Sequence, residues 1–151
     1  MRRAGRRSEV PGCDIVAEPL SLSGLEQRAT DLWRDLPAGA VVWLTGDLGT
    51  GKTTFVQAVC RAAGAERARS PTFALVHEYV SGQGSIFHVD CYRLRDPVEA
   101  VDLDFPGLLR HCRLLMIEWP ERAGDLAPEP DAHLHFAHAE ADNERLVERI
   151  R

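Results

Sequence analysis

Lysine is almost missing from this chain of 151 residues: Lys52 is the only one, and the other 17 of its 18 basic side chains are arginines. Positive charge is also in short supply, because 23 acidic residues leave a formal net charge of −5 at pH 7. Affinity for a nucleic-acid backbone comes mainly from basic side chains that neutralise phosphates. The composition therefore argues against a protein that captures DNA or RNA by itself.

Long apolar runs and paired cysteines are missing as well. No run of 18 apolar residues occurs, so we expect no membrane-spanning helix, and no apolar segment follows the basic start at residues 1–7, so we expect no secretory signal. The four cysteines include no C-x-x-C pair, which favours reduced thiols over a disulfide framework or a zinc site. His133 and His135 alternate like a metal-binding pair, but half-exposed strand residues are the better interpretation, because no cysteine or carboxylate stands at ligand spacing.

The single lysine lies in a glycine-rich segment that fits the phosphate-binding pattern G-x-x-x-x-G-K-[ST]. An apolar run at 41–44 precedes this P-loop and a helical pattern follows it, which is the strand–loop–helix context that the motif requires. Its glycines allow a close backbone approach, and its N–H groups at a helix N-terminus attract phosphate. We expect Lys52 to contact the β- and γ-phosphates and the Thr53 hydroxyl to bind Mg²⁺. The predicted nucleotide-binding residues are Gly46, Asp47, Leu48, Gly49, Thr50, Gly51, Lys52, Thr53 and Thr54.

Two acids follow apolar runs, at the strand ends where ligands bind in open α/β sheets. Asp90 follows 86–89 and Glu118 follows 114–117, so either can be the acid that holds Mg²⁺, and the alternative for each is a solvated strand-end carboxylate. Trp119 comes directly after Glu118, which predicts an indole close to the phosphates. Thr72, in the Ser-Pro-Thr segment after the first helix, is placed to sense Mg²⁺ and the γ-phosphate, with a plain turn as the alternative.

The length fits one domain with a core of its own, which we assign to residues 13–151, after a flexible basic tail at 1–12. A helix capped by Ser23, with Glu26 as its capping-box partner, precedes the strand at 41–45. Hairpins are predicted over 73–92 and, less regularly, over 133–150. Parallel strands linked by helices predict an α/β fold: a three-layer P-loop NTPase-like sandwich, mostly parallel, with an inserted β-hairpin.

Four motifs occur together in one order, and their combination is more specific than a P-loop alone. They are the P-loop, Ser70-Pro71-Thr72-Phe73, His88-Val89-Asp90-Cys91-Tyr92-Arg93-Leu94 and Ile117-Glu118-Trp119-Pro120-Glu121-Arg122. With these motifs the chain, from about residue 18 to 127, resembles the TsaE (YjeE) family of bacterial ATPases that are needed for the threonylcarbamoyladenosine (t6A) modification of tRNA. The segment 102–106 departs from the family's usual sequence pattern.

The resemblance implies a cytoplasmic Mg²⁺-dependent ATPase that is activated by TsaD and TsaB and reaches tRNA only through that complex. It implies Thr53 and Glu118 as Mg²⁺ ligands, and it places Asp90 and Thr72 beside the γ-phosphate of ATP. A small-molecule P-loop kinase is the alternative, although the short segment after Glu118 leaves little room for a lid. A GTP-binding switch is disfavoured, because its Asn-Lys-x-Asp loop needs a second lysine.

Overall fold

The computed structural model describes residues 17–68 and 75–151; the predicted tail at 1–12 and the loop that holds Thr72 lie outside these ranges. Its helices are α1 (Leu22–Asp35), α2 (Lys52–Ala62) and α3 (Phe105–His111), with 3-10 helices at Pro97–Leu103 and Pro120–Leu126. Its strands are β1 (Ala17–Leu20), β2 (Ala40–Thr45), β3 (Glu66–Arg67), β4 (Val76–Ser81), β5 (Gly84–Asp90), β6 (Cys112–Glu118), β7 (Ala132–His138) and β8 (Arg145–Arg149). Within the described ranges, no helix has the length and apolar character needed to cross a membrane.

The strands form one mixed sheet in the order β1-β8-β7-β2-β6-β5-β4-β3. The four central strands, β7, β2, β6 and β5, are parallel to one another, and the pairs towards both edges are antiparallel. Both predicted hairpins are present, as β4–β5 and β7–β8. Because parallel strands end at the same edge, β2, β5 and β6 deliver their C-terminal residues to one place. The predicted α/β class and the inserted hairpin are confirmed.

Two apolar layers enclose the sheet, because successive strand residues point to opposite faces. Leu114 and Met116 of β6 pack with α1 and α2 on one face. Leu115 and Ile117 pack against α3 and the two 3-10 helices on the other face. All four side chains are 0% exposed, which explains why residues 114–117 form an unbroken apolar run: this strand is buried on both sides.

The start of α1 differs from the prediction. The N-cap is Ser21, whose backbone is extended and whose hydroxyl accepts a hydrogen bond from the Gly24 N–H at 3.3 Å. The predicted cap, Ser23 with Glu26, was wrong because Ser23 already lies in the first helical turn. Either serine has a hydroxyl that can cap a helix. Because β1 pairs with β8 up to Leu20, the chain leaves the sheet at Ser21 and the helix begins at the next residue.

Candidate functional site

The loop between β2 and α2 takes a shape that its glycines make possible. Gly46, Gly49 and Gly51 have φ angles of 128°, 73° and 103°. At Gly46 there is a second reason for glycine, because a Cβ there would overlap the backbone carbonyl oxygen of Phe136 in β7. Thr50, fully buried, donates its hydroxyl to the Asp47 carbonyl at 2.7 Å and braces the loop from inside.

Lys52 lies folded back into this loop and is only 4% exposed. Its Nζ donates to the carbonyl oxygens of Gly46 and Asp47 at 2.5 and 2.7 Å and stands 4.8 Å from the centroid of the Trp119 ring. Burial lowers the pKa of the Lys52 ammonium, and the charge of Glu118 opposes that shift. A buried ammonium held by neutral carbonyls is suited to receive an anion, and the surrounding loop can hold a phosphate.

Glu118 ends β6 as a buried carboxylate, 3% exposed. Its Oε1 accepts a hydrogen bond from the Thr53 hydroxyl at 2.9 Å and lies 3.0 Å from His88 Nε2. Burial by itself raises the pKa of the Glu118 carboxyl, but the hydrogen bond and charge of His88, with the Thr53 bond, outweigh burial, and the pKa lies below its ordinary value. An ionised carboxylate beside a hydroxyl is a donor set that can hold Mg²⁺.

Asp90 stands next to Glu118, because the two residues are register partners at the ends of parallel strands β5 and β6. It is half-buried, and its Oδ1 accepts the backbone N–H of Tyr92 at 3.0 Å. Across residues 17–68 and 75–151 Asp90 has no ion pair, with Arg93 or otherwise. Within these ranges, therefore, Arg93 does not neutralise the Asp90 carboxylate through an ion pair.

Trp119 has a left-handed backbone, with φ 54° and ψ 49°, which a non-glycine residue adopts only at a cost. Its backbone N–H donates to the Leu44 carbonyl at 3.3 Å, so the end of β2 holds the Trp119 backbone in place. The Tyr92 ring packs on the indole with 5.0 Å between centroids. This bend after β6 turns the indole towards Lys52.

These groups border one cavity of about 370 Å³. The P-loop, Asp90, Glu118 and Trp119 form one side of it. The other side comes from the corner between β1 and α1, which includes Leu22, and from the turn between β7 and β8. Arg145, the first residue of β8 after that turn, reaches the P-loop, since its side chain lies 3.4 Å from where a Cβ on Gly51 would be. Sequence reasoning missed this second wall, because only the fold brings residues from both ends of the chain to the P-loop.

His133 and His135 lie on one face of β7, half-buried as predicted, and both bind the hydroxyl of Thr45, at 2.9 and 2.8 Å. No cluster of three or more histidine, cysteine or carboxylate side chains that could hold a metal ion is found within 17–68 and 75–151. This pair connects β7 to the last residue of β2, directly before the P-loop, which makes it a structural feature of the sheet.

Comparison with known proteins shows the family. The family model described as threonylcarbamoyl adenosine biosynthesis protein TsaE matches residues 21–147. A Haemophilus influenzae protein named tRNA threonylcarbamoyladenosine biosynthesis protein TsaE is 36% identical over 114 residues, which cover 73% of this chain and 69% of that protein. Its Bacillus subtilis namesake is 33% identical over 110 residues, covering 72% and 68%. The crystal structure of Bacillus subtilis YdiB has the same fold, with a TM-score of 0.69 at 20% identity over 91% of this chain and 88% of that one. The chain belongs to the TsaE family.

Proposed function

We propose that this protein is a Mg²⁺-dependent ATPase of t6A biosynthesis that works with TsaD and TsaB and reaches tRNA only through them. The observation that carries this proposal is the juxtaposition of a buried P-loop lysine, Lys52, with an ionised strand-end carboxylate, Glu118, and the hydroxyl of Thr53. The names of the relatives supply the pathway. The geometry supports the nucleotide chemistry, since phosphoryl transfer asks the protein mainly for positioning and charge.

Each of these residues has a separate task in the proposed site. The loop's N–H groups and the Lys52 ammonium bind phosphate oxygens, and Thr53 and Glu118 hold the cation. Mg²⁺ held by these two residues would supply positive charge beside the phosphate oxygens. Asp90 has one oxygen engaged with Tyr92, and we assign its other oxygen to orienting the attacking water. We assign Thr72 to the same end of the site on the sequence pattern alone, because it lies outside the described residues.

Two arginines near Trp119 and the P-loop, Arg122 and Arg145, support the slow turnover that we expect of the isolated chain. Arg122 lies over the rings of Tyr92 and Trp119, at 5.4 and 5.7 Å from their centroids. Arg145 donates to the carbonyls of Asp142 and Glu144, at 3.0 and 2.8 Å, and thereby fixes its own turn. Both guanidinium groups are thus engaged, and P-loop enzymes often receive a transition-state arginine from a partner. This arrangement supports activation by a partner protein.

The fate of the γ-phosphate separates an ATPase from the kinase alternative. With ATP labelled at the γ-position and the TsaD–TsaB pair present, the label is expected in inorganic phosphate. Lys52→Ala is the control for contaminating activity. Label on a small metabolite would contradict the ATPase and favour the kinase.

In cells, loss of this protein is expected to deplete t6A in tRNA. Restoring the wild-type chain, but not Lys52→Ala, is expected to return the modification.

Glu118→Ala is expected to weaken Mg²⁺-dependent nucleotide binding, because it removes a buried carboxylate that bonds to Thr53. The Mg²⁺ concentration for half-maximal binding of a fluorescent ATP analogue should rise by at least the roughly 10- to 100-fold that loss of an outer-shell partner costs. Glu121→Ala, at an exposed acid three residues further on, is the matched control. An unchanged Mg²⁺ dependence in Glu118→Ala would transfer the metal-binding role to Asp90.

Trp119 emission is expected to change when ATP and Mg²⁺ bind, because its ring lies against the Lys52 ammonium that phosphates would engage. The test uses a chain with Trp33→Phe and Trp43→Phe, which leaves Trp119 as the single indole. Adding Lys52→Ala to that background should remove the change. Emission that stays constant at saturating ATP, with binding verified separately, would mean that the nucleotide does not approach this ring.

A further inference from the structure

His88 is a buried histidine that has no task in the mechanism above. It lies on β5, two residues before Asp90, and is 5% exposed. Its Nε2 stands 3.0 Å from Glu118 Oε1. The pair is enclosed, with side chains 6% and 4% exposed, so water cannot readily replace either partner. Side chains alternate along β5, so residues 88 and 90 lie on the same side of the strand. This two-residue spacing is the feature of the sequence that places His88 on the side of Asp90.

The hydrogen bonds at Glu118 determine which groups donate and which carboxylate oxygen accepts. An ionised carboxylate only accepts hydrogen bonds, so His88 must donate through Nε2–H. The same oxygen, Oε1, also accepts from the Thr53 hydroxyl at 2.9 Å. Two donors on Oε1 hold the carboxylate in one orientation and leave Oε2 as the oxygen available to a cation beside Thr53.

The neighbouring His77 shows that a histidine at this place need not serve the site. Its ring is tilted against that of His88, with centroids 5.9 Å apart. The Nδ1 of His77 is 2.8 Å from Arg67 Nη2, towards the edge of the sheet. His77 is therefore a matched control: a histidine in the adjacent strand, in contact with His88, with no hydrogen bond to Glu118.

We propose that His88 is a positioning residue for the cation site: its Nε2–H orients Glu118 so that the second carboxylate oxygen faces a divalent ion held with Thr53. This inference rests on the proposed Mg²⁺-dependent nucleotide binding and deepens it. Residues that orient metal ligands through hydrogen bonds typically change metal affinity roughly 10- to 100-fold when they are removed. The expected effect of losing His88 is therefore on the metal dependence and not on the phosphate-binding loop.

The test measures binding of a fluorescent ATP analogue at varied Mg²⁺ and again in excess chelator. His88→Leu is expected to raise the half-maximal Mg²⁺ concentration roughly 10- to 100-fold and to leave metal-free binding unchanged. His88→Gln, whose amide Nε2–H can reach Glu118, is expected to restore most of the wild-type dependence, whereas the shorter His88→Asn is not. His77→Leu is expected to resemble the wild-type protein. In a Glu118→Gln background, His88→Leu should cause no further shift.

A folded His88→Leu protein with wild-type Mg²⁺ dependence would overturn the inference. An equal loss of affinity with and without Mg²⁺ would also overturn it, because it would indicate a general structural role. If His88→Leu fails to fold, the comparison of His88→Gln with His88→Asn decides, and equal Mg²⁺ dependence in those two would contradict the proposed donor. Wild-type protein that binds nucleotide without any Mg²⁺ dependence would instead refute the proposed function, and this inference with it.

Unfolding of the metal-free variants by urea gives a separate readout. The losses of unfolding free energy caused by His88→Leu and by Glu118→Gln should be non-additive, because the two residues share a hydrogen bond.

Discussion

Lys52→Ala is expected to abolish ATP turnover and to leave the fold intact. The chain has no other lysine, so no neighbouring ammonium can take its place. Loss of a group that stabilises developing charge costs on the order of 10²–10³ in rate. Thr53→Ala should also be inactive, because its hydroxyl bonds to Glu118 at the proposed metal site. Phosphate release, measured with the TsaD–TsaB pair present, checks both variants.

Measuring the stability of Lys52→Ala separates its expected loss of ATP turnover from a loss of the fold. Burial lowers the pKa of Lys52 from its ordinary 10.5, so the unfolded chain holds the proton more tightly and the charged side chain opposes folding. That penalty is fully present below the folded-state pKa and is relieved as the pH rises towards 10.5. Lys52→Ala removes this penalty together with the hydrogen bonds to the Gly46 and Asp47 carbonyls, so we expect its unfolding midpoint at pH 7 to stay close to that of the wild-type protein. Near-normal turnover in a stable Lys52→Ala protein would remove the assignment of the P-loop.

Gly46→Ala is expected to disrupt both the fold and nucleotide binding. The added Cβ would overlap the carbonyl oxygen of Phe136, and Phe136 is fully buried and packs on Phe55 of α2. Neither β7 nor the P-loop can yield without loss of packing. Overpacking and an unfavourable φ of 128° each cost about 1–3 kcal/mol, so we expect a loss of about 2–6 kcal/mol in unfolding free energy.

Gly49→Ala is the matched control for Gly46→Ala. Gly49 also has a positive φ, 73°, but nothing lies within 4 Å of its added Cβ. Only the left-handed backbone then opposes alanine, at about 1–2 kcal/mol. Urea unfolding of the two variants and of the wild-type chain gives the comparison. Equal losses for the two glycines would contradict the close contact between the P-loop and β7.

Much of the fold and part of the candidate site could be predicted because their signals are local. The P-loop, the apolar strand before Glu118 and both hairpins are encoded in short segments, and the structure places Lys52, Thr53 and Glu118 together as the motifs suggest. The rest depends on strand order. Placing β6 between β2 and β5 is what puts Glu118 opposite the P-loop and beside Asp90, and no segment encodes this order.

The second wall of the cavity has the same origin. Pairing of β1 with β8 brings the corner at Leu22 and the turn at Arg145 together across the P-loop, although more than a hundred residues separate them along the chain. The position of the α1 N-cap at Ser21 follows from this pairing as well. His88 was named in a motif, but its hydrogen bond to Glu118 depends on the register of β5 against β6.

Phosphate release from ATP, measured first with the wild-type chain alone and then with purified TsaD and TsaB added, decides whether this protein is a partner-activated ATPase. We expect slow release by the isolated chain and at least a several-fold increase with the pair. Lys52→Ala should show no increase, and tRNA alone should have no effect, because a net charge of −5 does not favour its capture. A rate that TsaD and TsaB leave unchanged, or one that rises only with a small metabolite that becomes phosphorylated, would contradict a partner-activated ATPase.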